Sequence, residues 1–223
     1  MEKKNFAAFT LPEILITLMI ISVIATMTIP TVMNYFQEKS LLTQFQKIYS
    51  TLSQAYILAA MENGTADGWG TDQNVYNYLK PYLKIIEDCP KTVGCFPDFL
   101  YSFKGVRGTG FGSWNIGYKV RLQDGASILF QSPGDAAGVL YVDINGNKAP
   151  NKWGSDTFVL QLINKAGAPV VVGYAADWAD VRFCSSTGDA SGWIDGGSCS
   201  NWVIKHGNMD YLHRDIPSVE WNN

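Results

Sequence analysis

Apolar and polar positions change their period along the chain, and each change marks an element. Residues 9–33, FTLPEILITLMIISVIATMTIPTVM, form an apolar run whose one charged side chain is Glu13. About 20 apolar residues rising ~1.5 Å each cover ~30 Å of hydrocarbon, so this run is long enough to cross a bilayer as a helix. Residues 34–62 turn amphipathic: Leu41, Phe45, Ile48, Leu52, Ala55 and Ala59 recur at helical steps, while Gln44, Lys47, Ser50 and Gln54 mark other faces. Pro30 is expected to kink the helix rather than stop it, because periodicity resumes beyond it, and Asn63-Gly64 supplies its end. The pattern therefore predicts one helix of ~50 residues, ~75 Å long.

Residues 65–117 read as loop-rich, with a short or bent helix over 73–86, where Pro81 interrupts an aromatic and aliphatic helical spacing. Tyr76, Tyr78 and Tyr82 in it read as packing residues. Strand patterns follow at 118–122, 127–130, 139–143, 157–162 and 169–174, the first two joined by a turn containing Asp124-Gly125. A long helix followed by an antiparallel meander of four or five strands is an α+β architecture.

Composition agrees with a packed domain: 47% of residues are hydrophobic and 13% aromatic, ample for a core. The formal net charge is −3, so no basic face points to a nucleic-acid partner. Lys3 and Lys4 precede the apolar run, which places the N-terminus in the cytoplasm and everything after Met33 outside it.

An intramembrane carboxylate is costly and by default marks function. Here it belongs to a larger pattern: a short basic leader MEKKNFAA, small Ala7 and Ala8, then Phe9-Thr10-Leu11-Pro12-Glu13 and an apolar run with Pro30. This resembles the cleavage and methylation signal of type IV prepilins and type II secretion pseudopilins. Two positions depart from it: Ala8 stands where Gly is usual, and Pro12 where an aliphatic residue is commoner. Pro12 is physically mild, since a proline in the first helical turn breaks no intrahelical hydrogen bond. An ordinary secretory signal would end in an Ala-x-Ala-like site, which Ala25-Thr26-Met27-Thr28 lacks, and a plain anchor has no use for Glu13.

The resemblance implies cleavage between Ala8 and Phe9 by prepilin peptidase and N-methylation of Phe9. Glu13 would then face the new amino terminus of a neighbouring subunit, where ammonium and carboxylate offset each other's desolvation and set axial register. It implies a leader over 1–8, a transmembrane and assembly helix over 9–33, its amphipathic half over 34–62, and an extracytoplasmic head over 63–223. In this family the amphipathic half packs on the sheet of the head. The implied partners are homologous subunits, the peptidase, an inner-membrane assembly platform and, before assembly, membrane lipid.

Within the head, residues 143–156 read DINGNKAPNKWGSD. Asp143, Asn145 and Asn147 alternate as hard oxygen donors and Asp156 can return to them, a set that suits Ca²⁺. The glycine is fourth, not sixth as in an EF-hand loop. The stretch looks like a DxNGxxxPN-type loop of pilin-like secretion proteins, and major pseudopilins carry calcium in a comparable loop; a metal-free, hydrogen-bonded turn is the alternative.

Four cysteines outside the cytoplasm argue for disulfides, with three connectivities open. Neighbour pairing, Cys89 with Cys95 and Cys184 with Cys199, gives compact loops and is the chosen one; a cysteine-closed region near the C-terminus also recurs among pilins. Zinc is the rival, but no Cys-x-x-Cys pair occurs.

No nucleophile elbow or phosphate loop occurs, Gly108-Thr109-Gly110-Phe111-Gly112 completes no dinucleotide fingerprint, and His206, Asp210 and His213 have no further strong ligand or nucleophile marked beside them. No enzyme is expected. The reading is a structural filament subunit; a surface module binding sugar, DNA or protein through its head is the alternative. Trp69, Trp114, Trp153, Trp178, Trp193, Trp202 and Trp221 are expected to be core and loop anchors rather than a stacking surface.

Overall fold

The computed structural model describes residues 10–113, 115, 117–132, 138–173, 184, 196–217 and 220. The chain divides into two units, Met1–Ser40 and Leu41–Asn223; helix α1 is Leu11–Asn63, with Pro30 inside it. Its end is the expected one. Gly64 takes φ 72°, in the left-handed region, and its N–H reaches the Ala60 carbonyl at 3.0 Å, a glycine C-terminal stop that a side-chain-bearing residue adopts only with strain.

In the first unit the helix is apolar on every side from Ile14 to Met33. Large side chains from Leu11 to Phe36 are all exposed, among them Leu15, Met19, Val23, Met27 and Val32. A helix that is hydrophobic all round belongs in lipid or inside an assembly.

In the second unit α1 is one-sided. Leu42, Phe45, Ile48, Leu52, Ala55, Tyr56 and Ala59 are buried. The stripe begins at Leu42, whereas Leu41 is only partly buried; the sequence pattern is one position off at its first turn. Phe45 meets Phe158 edge to face at 4.7 Å, and burying a side chain of this size contributes about 1.5–3 kcal/mol. The tyrosine hydroxyls on this helix also bond the sheet: Tyr49 donates to the Val171 carbonyl at 3.0 Å and Tyr56 to that of Ile163 at 3.2 Å.

Helix α2, Asp72–Leu79, is capped by Thr71, whose side chain accepts from the Asn74 N–H, and passes into a tight turn at Lys80–Tyr82 around Pro81. Tyr76 stacks on Tyr118 at 4.8 Å and Tyr78 meets Trp69 at 5.3 Å, the packing role expected of them. The helical reading of 73–86 fails at its end: Ile85 and Ile86 open a strand.

That strand, β1 (Ile85–Pro90), is followed by a small hairpin of β2 (Phe99–Tyr101) and β3 (Arg107–Thr109), then by β4 (Tyr118–Leu122), β5 (Ser127–Gln131), β6 (Val139–Asp143), β7 (Thr157–Lys165) and β8 (Ala168–Gly173). The main sheet runs β1-β4-β5-β6-β7-β8, antiparallel throughout. It has six strands, where the sequence pattern gave four or five. A helix α3, Cys199–His206, and then a single helical turn at Asp210–Leu212 follow in the described part of the head. The architecture is α+β.

Both faces of the sheet are buried. Toward α1 lie Val120, Ile128, Val142 and Phe158, aligned across four strands, with Phe130, Leu140 and Leu160 beside them. The opposite face is covered too: Leu129, Tyr141 and Val159 pack with Phe96, Leu100, Phe111 and Trp153 from the connections. Two covered faces explain why the strand sequences read as near-continuous apolar runs.

Candidate functional site

The apolar helix starts with a reciprocal turn. Thr10 stands just before Leu11, and both its backbone N–H and its hydroxyl donate to the same oxygen of Glu13, at 2.8 and 2.7 Å. An acid three residues into a helix reaching back to the residue before it is the geometry of a capping box, which satisfies a backbone donor that no helical carbonyl can reach. Pro12 sits within this first turn, where its missing N–H costs nothing. The remaining polar groups of the run are also satisfied locally. The hydroxyls of Thr17, Ser22, Thr26, Thr28 and Thr31 each donate to a carbonyl three or four residues back. Such back-bonding is what hydrocarbon demands of a hydroxyl. Ala8 and Phe9 lie outside the described residues.

The 143–156 loop is the second concentration of polar chemistry; its two ends are largely inside the protein, whereas residues 147–150 are exposed. Asp143, at the end of β6, and Asp156 are both fully buried. Asn145 ties them together: its backbone N–H donates to one oxygen of Asp143 and its side-chain amide to one oxygen of Asp156, each at 3.2 Å. Asp156 further takes the N–H groups of Asn151 at 2.8 Å and Lys152 at 2.6 Å. It is the hub about which the loop is wound. Asn151 holds φ 49°, a left-handed conformation that Asn tolerates better than most residues.

Burial, and then the Asp156 carboxylate, push the Asp143 carboxyl well above the usual range, against the N–H groups of Asn145 and Gly146. Burial likewise raises Asp156, to about 6, against its N–H donors. Three acceptor atoms in this loop have no hydrogen-bond partner: Asp143 Oδ2, Asn145 Oδ1 and Asn151 Oδ1. Asn147, in contrast, is exposed. Asp143, Asn145 and Asp156, which the sequence spacing grouped, share hydrogen bonds here, whereas Asn151, carried in by the return of the chain, had no periodic signal to reveal it.

The cysteines pair as neighbours. Cys89 bonds Cys95 with Cα atoms 6.1 Å apart, and Cys184 bonds Cys199 with Cα atoms 5.0 Å apart, both separations ordinary for a disulfide. Glu87 lies close to the first pair, but sulfurs already bonded to each other offer no thiolate to a metal. His206 is exposed and stacked on Trp202 at 3.8 Å, and His213 is exposed. Trp69, Trp153 and Trp202 are buried, as anchors should be; Trp114, Trp178, Trp193 and Trp221 lie outside the described residues.

Comparison with curated proteins and with solved structures gives no match. A family model described as the prokaryotic N-terminal methylation motif matches residues 3–29, the stretch that holds the leader lysines, Glu13 and most of the apolar run. The chain thus carries, over residues 3–29, the prokaryotic N-terminal methylation motif that is the signal of type IV pilins and pseudopilins.

Proposed function

We propose that the protein is a structural subunit of a type IV pilus-like filament or a type II secretion pseudopilus. It is inserted in the bacterial inner membrane with its N-terminus in the cytoplasm and its head in the periplasm or outside. Prepilin peptidase cuts between Ala8 and Phe9, and the mature subunit assembles through residues 9–33 on an inner-membrane platform, alongside homologous subunits. The head spans residues 63–223 and the amphipathic part of α1 is its spine.

The observation that carries this reading is the contrast within one helix. Its first part exposes apolar side chains on every side around a single carboxylate, whereas its second part buries a regular stripe. A surface apolar on all sides is stable only when lipid or other helices cover it. Lipid covers it before assembly, and helices of neighbouring subunits cover it afterwards. Glu13 then gives up its bonds to Thr10 for the amino group of a neighbouring Phe9, a pairing that leaves neither charge alone in an apolar medium.

The test is peptide and intact mass spectrometry of the protein from cells with and without prepilin peptidase. The expected result is a chain beginning at N-methylated Phe9 only when the peptidase is present. An uncut Met1 terminus, or a cut beyond Ala25, would overturn the reading and turn attention to ligands of the head.

A further inference from the structure

We propose that the outward face of the β2–β3 hairpin binds an acidic polysaccharide, a sugar chain bearing carboxylates, with Arg107 and Lys152 as its cations and the Tyr101 hydroxyl between them. The inference does not rest on the filament reading.

The face is built from three neighbouring segments. Tyr101 pairs with Arg107 across the hairpin. On its other side it bridges Lys152: its N–H donates to the Asn151 carbonyl at 2.8 Å and its carbonyl accepts from the Trp153 N–H at 2.9 Å. Residues paired directly across strands share a face, so Arg107, Tyr101 and Lys152 form one row. Two strand spacings put the backbones of the two cationic residues about 10 Å apart. Leu100 and Trp153, each one residue along from a member of the row, are buried in the layer that covers the sheet opposite α1. By strand alternation the row therefore faces outward, away from the sheet.

The two cations are held on rings. The Arg107 guanidinium lies 4.5 Å from the Phe99 ring centre and the Lys152 ammonium 5.3 Å from that of Phe103. Such stacking orients a cation without neutralising it. Among the described residues no carboxylate pairs with either group, and none hydrogen-bonds the Tyr101 hydroxyl. Residues 99–123 and 144–155 contain no acid. Asp98 precedes the hairpin, and Asp156, which takes the Lys152 N–H, is fully buried.

The ligand follows from what is left open. Arg107 offers a planar fork of N–H donors suited to a carboxylate, Lys152 a second positive charge, and Tyr101 a hydroxyl that can donate to or accept from a sugar hydroxyl. Stacked bases fit less well, because the cations already cover one face of each outer ring and Phe103 is buried. Duplex DNA carries a charge every ~1.7 Å and is held by many cations at once. This chain has a net charge of −3, and the row offers two fixed cations about 10 Å apart. A polymer with sparse carboxylates and hydroxyls between them matches that spacing.

The test titrates the full-length protein, in uncharged detergent and low-salt buffer with chelator, with alginate, a polyuronate, by calorimetry. Dextran, single-stranded DNA and polyglutamate are the comparisons. Saturable heat is expected with alginate and none with dextran. Binding weakens at least tenfold in the double variant Arg107→Ala, Lys152→Ala and several-fold in Tyr101→Phe. Lys84→Ala, which removes an exposed cation elsewhere, leaves it unchanged. Arg107 is exposed, so Arg107→Ala alone weakens binding at an unchanged Tm, which separates the effect from loss of fold. No heat with alginate, or heat undiminished in the double variant, would overturn the proposal. Equal or tighter binding of DNA or polyglutamate would overturn it as well, by assigning the row to a nucleic acid or an acidic protein.

Discussion

Thr10 turns both of its donors, backbone and hydroxyl, onto one oxygen of Glu13, 2.8 and 2.7 Å away. The only acid of the apolar run is therefore solvated by its own chain. That arrangement lets a carboxylate wait in an apolar setting until a neighbouring amine replaces Thr10. Glu13→Ala is expected to leave the subunit inserted, cleaved and folded, but to abolish filaments or pseudopili by at least tenfold in a sheared-fraction immunoblot. Normal filament yield from that variant would show that Glu13 does not guide assembly.

Phe45 and Phe158 lock the second half of α1 to the sheet. Phe45→Ala deletes a ring that is 2% exposed, for which a loss of about 3–5 kcal/mol is expected. In a domain of this size each kcal/mol lowers Tm by about 2–4 °C, so thermal unfolding followed by near-ultraviolet circular dichroism should shift down by roughly 6–20 °C. A change below about 1 kcal/mol would mean that the helix is not pinned here.

The Cys89–Cys95 bond fastens the start of the second apolar layer, which holds Phe96, to the outermost strand. Replacing both cysteines by serine is expected to destabilise the head by about 2 kcal/mol, the value for so short a closed loop. Urea unfolding with and without reductant measures it. An unchanged midpoint would show that the layer holds without its staple.

Asp88 gathers the Lys80 ammonium at 2.6 Å and the Tyr76 hydroxyl at 2.5 Å. Burial acts to raise its carboxyl, but these two donors outweigh burial and leave it below the ordinary value. A carboxyl lowered on folding stabilises above its unfolded value, and that contribution disappears as pH falls through the folded value. Lys80 is raised by Asp88 first and Tyr76 second, so its share persists below its ordinary value near 10.5 and fades only in strong alkali. Both side chains are partly exposed, so Asp88→Asn should cost only about 0.5 kcal/mol near neutrality. The difference from the unsubstituted protein should shrink as pH falls through the lowered folded value of Asp88 and vanish below it; a penalty that persists in acid would locate the effect in packing instead of charge.

Much of this was legible in the sequence, and where legibility stopped has physical causes. The helix, its end at Gly64 and strands β4 to β8 follow from periodicity, because each buries at least one face continuously. Strand β1 does not: of its six residues only Cys89 is fully buried, and Glu87, Asp88 and Pro90 look like loop. The β2–β3 hairpin is short and partly exposed, and its partner face could be seen only once the sheet was assembled. At the 143–156 loop, alternation pointed to Asn147, but the chain turns after Gly146 and Asp156 draws in the backbone of Asn151 instead. Hydrogen bonds from backbone to side chain decide that exchange, and they leave no period to read.

Strand β1 has a further meaning. At one margin of the sheet it carries an irregular register between Ile85 and Glu87, two exposed acids and a proline; at the other margin β8 carries Pro169. These are the devices that stop a foreign strand from adding to a sheet. Among the described residues both margins of the sheet carry such devices, and in the proposed filament they keep neighbouring heads from adding strands to one another.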